Sequence, residues 1–424
     1  MKGTDYNMKF SSALRQYSRR RIEKIKDVDI VVGIPSYNND STVSHVVKTV
    51  GKGLSTYFPD VKSLIMVGDG GSTDDTREEA LSVQVEPWIE KLITIYRGIP
   101  GKGSALRAIF ESAEYLGAKI CVVCDSDIRS ITPEWIRNLI MPIYEEEYQF
   151  VAPYYERYKY DGTITNNIVY NLTRTLYGLR VRQPIGGDFA FSRKLIKFYN
   201  DQDVWETDVA RFGIDIWLTT TAIVQGFRIC QTRLGTKIHD AKDPSESLGP
   251  MFQQVVTTLF VLMEQNHGYW KDIRGSESVP ILGEVTGTEP EVFDINMENL
   301  VEYFKTGFNH FGVLWKEILE KENFEKLKEI SAYNVGNFMF PTESWCKILY
   351  DIAVTFHNWK RNRVKLINMM TPIYFARIAG FVNMTKDMTK EEAEQVVEEQ
   401  AEKFEDTKDY LLQRWVEDGK EEKV

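Results

Sequence analysis

The chain has 424 residues, more than one ordinary hydrophobic core organises, so two domains or one domain with a large appendage are expected. Hydrophobic residues at 43% and charged residues at 27% exclude a disordered chain and predict a sizeable core. A formal net charge of −10 argues against a nucleic-acid binder, which needs a basic face, but not against one small phosphorylated ligand.

Residues 1–28 hold no apolar stretch of the signal-peptide kind. The longest apolar run, near Val255–Met263, is too short to span a membrane and reads as a core helix. A cytoplasmic protein with no transmembrane segment is therefore expected. Arg19, Arg20 and Arg21 read as a solvated helix face.

Asp29–Pro35 is a short β-branched run closed by proline, which predicts a buried strand. From Ser41 to Tyr57, Val43, Val46, Val47, Val50 and Leu54 recur at helical spacing. Leu64–Val67 predicts the second strand, Gly68–Ser72 a turn and Thr73–Ser82 a helix. Leu92–Tyr96 is the third strand, before a loop with Gly98, Pro100 and Gly101 and a helix from about Ser104 to Tyr115. Ile120–Cys124 is the fourth. This alternation predicts a mostly parallel sheet covered by helices on both faces, with ligands at the carboxyl ends of its strands. Cys121 and Cys124 lie inside the fourth strand, where residues three apart face opposite ways. Two free core thiols are expected there, not a metal or redox pair.

After about Met263 strand signals fade and helical patterns take over. Residues 389–415 predict a long charged helix, with Thr389 and Glu392 as its capping box. The expected organisation is a helical extension over 1–28, an α/β domain over 29–265 and a mostly helical domain over 266–424.

Four motifs follow the predicted strands. Pro35-Ser36-Tyr37-Asn38 ends the first, and Gly68-Asp69-Gly70-Gly71-Ser72-Thr73-Asp74-Asp75 ends the second. A carboxylate there suits a base imide or a ribose hydroxyl. Pro100-Gly101-Lys102-Gly103 precedes a helix, where two glycines admit a ligand and Lys102 adds a point charge for an anion. Asp125-Ser126-Asp127 follows the fourth strand. Two carboxylates so spaced suit a divalent cation that leaves positions open for substrate phosphates. There is no GxxxxGK[ST] loop, and the glycines at 68, 70 and 71 do not fit GxGxxG.

In this order and spacing the motifs resemble the GT-A glycosyltransferases, a Rossmann-like nucleotide-diphospho-sugar transferase fold. More narrowly the chain is similar to mannosylglycerate synthases and glucosyl-3-phosphoglycerate synthases. That likeness rests on Gln183-Pro184-Ile185-Gly186-Gly187-Asp188, Phe212-Gly213-Ile214-Asp215, Lys237-Ile238-His239 and Ser247-Leu248-Gly249-Pro250-Met251. It covers roughly residues 29–260, with a faint further likeness at Tyr333–Met339.

The resemblance implies a retaining hexosyltransferase using a UDP- or GDP-sugar, with magnesium or manganese. The implied acceptor is a small hydroxy acid such as glycerate or 3-phosphoglycerate; the helical C-terminal region suggests a homodimer interface as readily as an acceptor lid. Pro35, Tyr37, Asn38 and Asp69 would hold the nucleoside, and Lys102 would meet the donor phosphates or sugar. Asp125 and Ser126 would approach the donor, while Asp127 and His239 would bind the metal. Gly186, Gly187 and Asp188 would face the donor sugar, with Thr165 and Asp215 on the acceptor side. Asp188, Asp215 and Lys102 are the candidate catalytic groups, although Asp215 also reads as a helix N-cap.

The chain departs from the family pattern in three places. Asp188 replaces a glutamate, and Asp240-Ala241-Lys242-Asp243 replaces a basic stretch. Thr163-Ile164 stands where phosphoglycerate-using members carry an arginine, so Arg157, Lys159, Arg174 or Arg182 would have to clasp an acceptor phosphate. Rival readings are an inverting transferase of cell-surface glycans, a sugar nucleotidyltransferase and a non-catalytic sugar-nucleotide-binding relative.

Overall fold

The computed structural model describes residues 11–239, 249–285 and 288–417. The chain divides into two units. The first draws its described residues from 11–156, 185–239 and 279–289, and the second from 157–184, 249–278 and 290–417. The expected single boundary near 265 is thus replaced by an interleaved division, in which 157–184 belong to the helical unit.

Ten strands are described: β1 Ile30–Ser36, β2 Ser63–Asp69, β3 Ile89–Ile95, β4 Ile120–Val123, β5 Phe150–Glu156, β6 Leu179–Arg180, β7 Phe189–Ser192, β8 Ile229–Thr236, β9 Glu277–Ser278 and β10 Ile281–Leu282. The first unit holds an eight-stranded sheet of order β10-β8-β5-β7-β4-β1-β2-β3. Its strands are parallel except β7, which runs antiparallel to β4 and β5. Every residue of β1, β2 and β4 is buried, as expected of strands covered on both faces. On one face, helices Asp40–Tyr57 and Pro133–Tyr144 pack Val43, Val46, Val50, Trp135 and Ile136 onto Val32, Ile34 and Val67. On the other, Phe110 of helix Lys102–Tyr115 meets Phe191 edge-on at 5.1 Å.

The described residues before β1 belong to the sheet unit and do not form a separate extension. Helix Gln16–Ile25 belongs to the sheet unit, where the Arg97 N–H donates to Ala13 O at 2.8 Å and Ser12 Oγ to Glu111 Oε2 at 2.6 Å. Arg19 and Arg20 are exposed, as a solvated face requires. Cys121 and Cys124 are buried free thiols, and burial raises both above the ordinary thiol value.

The second unit is helical apart from the β6–β9 pair. Helix Lys390–Asp406 starts with the expected capping box: Thr389 accepts from the Glu392 N–H, and Glu392 accepts from the Thr389 N–H at 2.7 Å. Arg174, only 1% exposed, meets Glu398 at 2.8 Å and Glu405 at 3.0 Å. No described helix is long and apolar enough to cross a membrane.

Candidate active site

Strand register gathers the motifs at one edge of the sheet. Ser36, Asp69 and Ile95 are parallel partners, so β1, β2 and β3 end level with one another. β4 ends at Val123, opposite Gly33, and releases Asp125-Ser126-Asp127 at the same edge. Because β7 is antiparallel, its start lies beside the end of β4, with Phe189 opposite Val123. That brings Gly186, Gly187 and Asp188 to Asp125. β8 runs parallel to β5 and delivers Lys237 and His239 to this edge, the Lys237 N–H donating to Glu156 O at 3.2 Å.

A charge network occupies the centre. Lys102 lies 2.8 Å from Asp125 Oδ1 and 3.0 Å from Asp215 Oδ2, and donates to Gly187 O at 3.4 Å. Lys237 donates to Asp125 Oδ2, Asp188 Oδ2 and Gly186 O, each at 2.9 Å. Burial pushes the Asp125 carboxyl up, but Lys102 and Lys237 outweigh it and hold it well below the ordinary carboxylate range. Burial opposes protonation of Lys102, and Asp125 and Asp215 more than restore it, raising the ammonium. Asp188 and Asp215 are raised, chiefly by burial, against the pull of Lys237 and Lys102 respectively.

Asp215 sits in the first turn of helix Ile214–Val224, whose N-cap is Gly213, so the N-cap reading of Asp215 is corrected. It is 8% exposed, and its Oδ1 is buried with no hydrogen-bond partner. An orphaned buried oxygen of this kind is costly unless something is meant to bind it.

Two carboxylates expected to face the donor are engaged by the protein itself. Asp188 is fully buried; it accepts from the Asp125 N–H at 2.9 Å, from Lys237 and from the Tyr155 hydroxyl. Asp69 is also fully buried, accepting from the Gly71 N–H at 2.8 Å, the Ser72 N–H at 2.9 Å and the hydroxyls of Ser72 and Ser36. Its carboxylate shapes the turn instead of facing a base. The glycine at 103 is likewise required by the protein itself, because a Cβ there would fall 1.9 Å from Val209 O.

The nucleoside candidates remain at the rim. Tyr37 is 60% exposed, its ring beside Gly70. Asn38 has φ 52°, donates its N–H to Ser72 Oγ at 2.9 Å and accepts from the Thr73 N–H at 3.0 Å. Pro35 is buried. Ser126 is buried; its hydroxyl donates to Asn39 Oδ1 at 2.7 Å, and its carbonyl accepts from Thr42 at 2.8 Å.

Asp127 and His239 are half-buried on adjoining segments. The Arg129 N–H donates to Ile238 O and the Ile238 N–H to Ser130 Oγ, both at 2.8 Å. Among the described residues no three His, Cys, Asp or Glu side chains form a metal cage. One carboxylate and one imidazole still fit an ion that takes its remaining ligands from phosphate and water.

Thr165 belongs to the helical unit, in a π-helical turn Thr165–Val169. The cations around it are engaged within that unit. Arg157 pairs with Asp161 at 3.2 Å, Arg174 with its glutamates and Arg182 with Glu394 at 2.6 Å. Lys159 donates to the carbonyls of Thr385, Lys386 and Met388. Asp240–Asp243, Ser247 and Leu248 lie outside the described residues.

Lys237 and Tyr155 are site residues that sequence reasoning passed over. Lys237 was visible as the basic member of Lys237-Ile238-His239, following a strand otherwise rich in apolar and neutral residues. Nothing local marks Tyr155.

Residues 31–205, less than half of the 424-residue chain, match the family model described as Glycosyl transferase family 2. A search of curated proteins found no match. Among solved structures the chain is similar to glucosyl-3-phosphoglycerate synthase from Mycobacterium tuberculosis in complex with Mg2+ and uridine-diphosphate. Identity is 25%, covering 57% of this chain and 83% of that one, with a TM-score of 0.45. The same enzyme in complex with Mn2+, uridine-diphosphate-glucose and phosphoglyceric acid is 25% identical, covering 59% of this chain and 85% of that one, with a TM-score of 0.45. The segment that matches Glycosyl transferase family 2 holds Lys102, Asp125 and Asp188, and the chain is a glycosyltransferase.

Proposed function

We propose that this glycosyltransferase moves a hexose from a UDP- or GDP-sugar to a hydroxyl of a small unphosphorylated hydroxy acid of the glycerate type. The observation that carries the acceptor side is the orphaned Asp215 Oδ1, buried beside Lys102. It suits a hydroxyl donor. The engagement of Arg157, Lys159, Arg174 and Arg182 within their own unit supports an acceptor without phosphate.

Tyr37 offers an exposed ring to the base, and Asn38 and Ser126 shape the nucleoside rim. Lys102 exchanges a carboxylate partner for a donor phosphate, stabilising charge that grows as the glycosidic bond breaks. Asp127 and His239 would hold a divalent cation, which when bound neutralises the diphosphate leaving group.

Retention by double displacement needs a free carboxylate nucleophile. Asp125 and Asp188 are both committed to Lys237, which favours front-face attack, with the departing phosphate taking the acceptor proton. The raised carboxyl of Asp215 favours a second reading, inversion with Asp215 as general base. The test is incubation of UDP-glucose or GDP-mannose with glycerate and manganese, followed by mass spectrometry and anomeric NMR. A glycosylglycerate with the donor's anomeric configuration supports retention. The opposite configuration selects inversion, and donor hydrolysis without transfer removes glycerate as acceptor.

A further inference from the structure

The ammonium of Lys237 belongs to a side chain only 5% exposed. An ammonium has three protons to donate. Those of Lys237 go to Asp125 Oδ2, Asp188 Oδ2 and Gly186 O, each at 2.9 Å. Its donor capacity is spent on the protein, and none remains for a substrate. The three acceptors lie just after β4 and in the turn into β7, while Lys237 directly follows β8, so one ion ties three parts of the sheet edge together. Asp125 passes the constraint on: its other oxygen holds Lys102 at 2.8 Å, and Lys102 holds Asp215 at 3.0 Å. The series Lys237–Asp125–Lys102–Asp215 ends at the carboxylate whose other oxygen, Oδ1, is orphaned. A buried network of this kind is a poor source of stability, since well-packed apolar groups of equal volume usually serve as well or better.

We propose that Lys237 is a positioning residue for transfer, fixing Asp125 and through it the placement of Lys102 and Asp215, without touching substrate. This rests on the glycosyltransferase reading of the same site. Its role is preorganisation, so its loss falls on turnover more than on donor binding.

The experiment compares wild type, Lys237→Met, Lys237→Arg, Asp188→Asn and the Lys237→Met/Asp188→Asn double variant, using UDP-glucose and GDP-mannose with manganese and following nucleoside diphosphate release. Lys237→Met is expected to lower kcat on the order of 100-fold, with donor KM changed less than about threefold. Lys237→Arg, which keeps a cation, is expected to recover at least about a tenth of wild-type kcat. Should Lys237→Met fail to fold with Asp125 and Asp188 left uncompensated, the double variant removes one buried charge of each sign and carries the test. Relative to Asp188→Asn it is still expected to lose more than about tenfold in kcat, because Asp125 has lost its anchor. The proposal is overturned if the folded double variant matches Asp188→Asn, or if the loss lies in KM alone. Absence of turnover by wild type with both donors would instead overturn the transferase reading, and this proposal with it.

Discussion

Replacing Gly187 by alanine tests the network at its tightest point. Gly187 has φ 93°, a region that costs an L-residue roughly 1–2 kcal/mol. The added Cβ would also fall 2.1 Å from Asp125 Oδ2 and 3.1 Å from Lys237 Nζ. The Asp125 carboxylate cannot stay where it bridges Lys102 and Lys237, at 2.8 and 2.9 Å. Breaking one largely buried ion pair costs about 3 kcal/mol, at the low end because the Asp125 side chain keeps 22% exposure. The expected total is about 4–5 kcal/mol, a large part of the stability of an ordinary domain. Urea denaturation of wild type, Gly187→Ala, Asp125→Gly and the double variant isolates the clash. With the carboxylate already gone, Gly187→Ala should cost only the backbone strain of about 1–2 kcal/mol. A Gly187→Ala protein of wild-type stability, or equal cost in both backgrounds, would refute the reasoning.

Asp215→Asn should fold and lose transfer by about 10²–10⁴-fold, measured as product formed per enzyme, because its free oxygen no longer carries a full charge. Burial raises the Asp215 carboxyl above the ordinary value of 3.8, and Lys102 pulls it back. Activity that needs the ionised form is present above the raised pKa and lost as pH falls through it. Lys102→Met should therefore move the acid limb of the kcat/KM profile to higher pH; an unmoved limb would argue against Asp215 as the titrating group. Asp127→Ala and His239→Ala should each raise the manganese concentration for half-maximal activity, by about 10–100-fold, read by metal titration. In the helical unit, Arg174→Met leaves Glu398 and Glu405 without their buried cation and should destabilise by about 2–4 kcal/mol, checked by urea unfolding.

The parallel strands were legible because β1, β2 and β4 are buried on both faces, which the sequence carries as unbroken apolar runs such as Ile120–Cys124. The convergence of Pro35–Asn38, Asp69–Ser72 and Asp125–Asp127 follows from strand order alone, since parallel strands share a carboxyl edge. The capping box at Thr389 was legible because its partners are three residues apart. Saturation was not. Asp69 and Asp188 carry the residue type a ligand would want, and only the folded loops show that Ser72, Ser36, Tyr155 and Lys237 already occupy them. The interleaved units were hidden for a similar reason: Arg174 and Arg182 find their carboxylates more than 200 positions away, at Glu398 and Glu394. No local pattern assigns 157–184 to the helical unit.

The central claim is that the carboxyl edge of the sheet, around Lys102, Asp125 and Asp215, cleaves a nucleotide sugar. The most direct measurement is nucleoside diphosphate release from UDP-glucose and GDP-mannose by wild type and Asp215→Asn, with and without manganese. The account predicts manganese-dependent release by wild type that rises when glycerate is added, and loss of that rise in Asp215→Asn with donor binding retained. A folded wild-type protein that binds and turns over neither donor in the presence of the metal would contradict it.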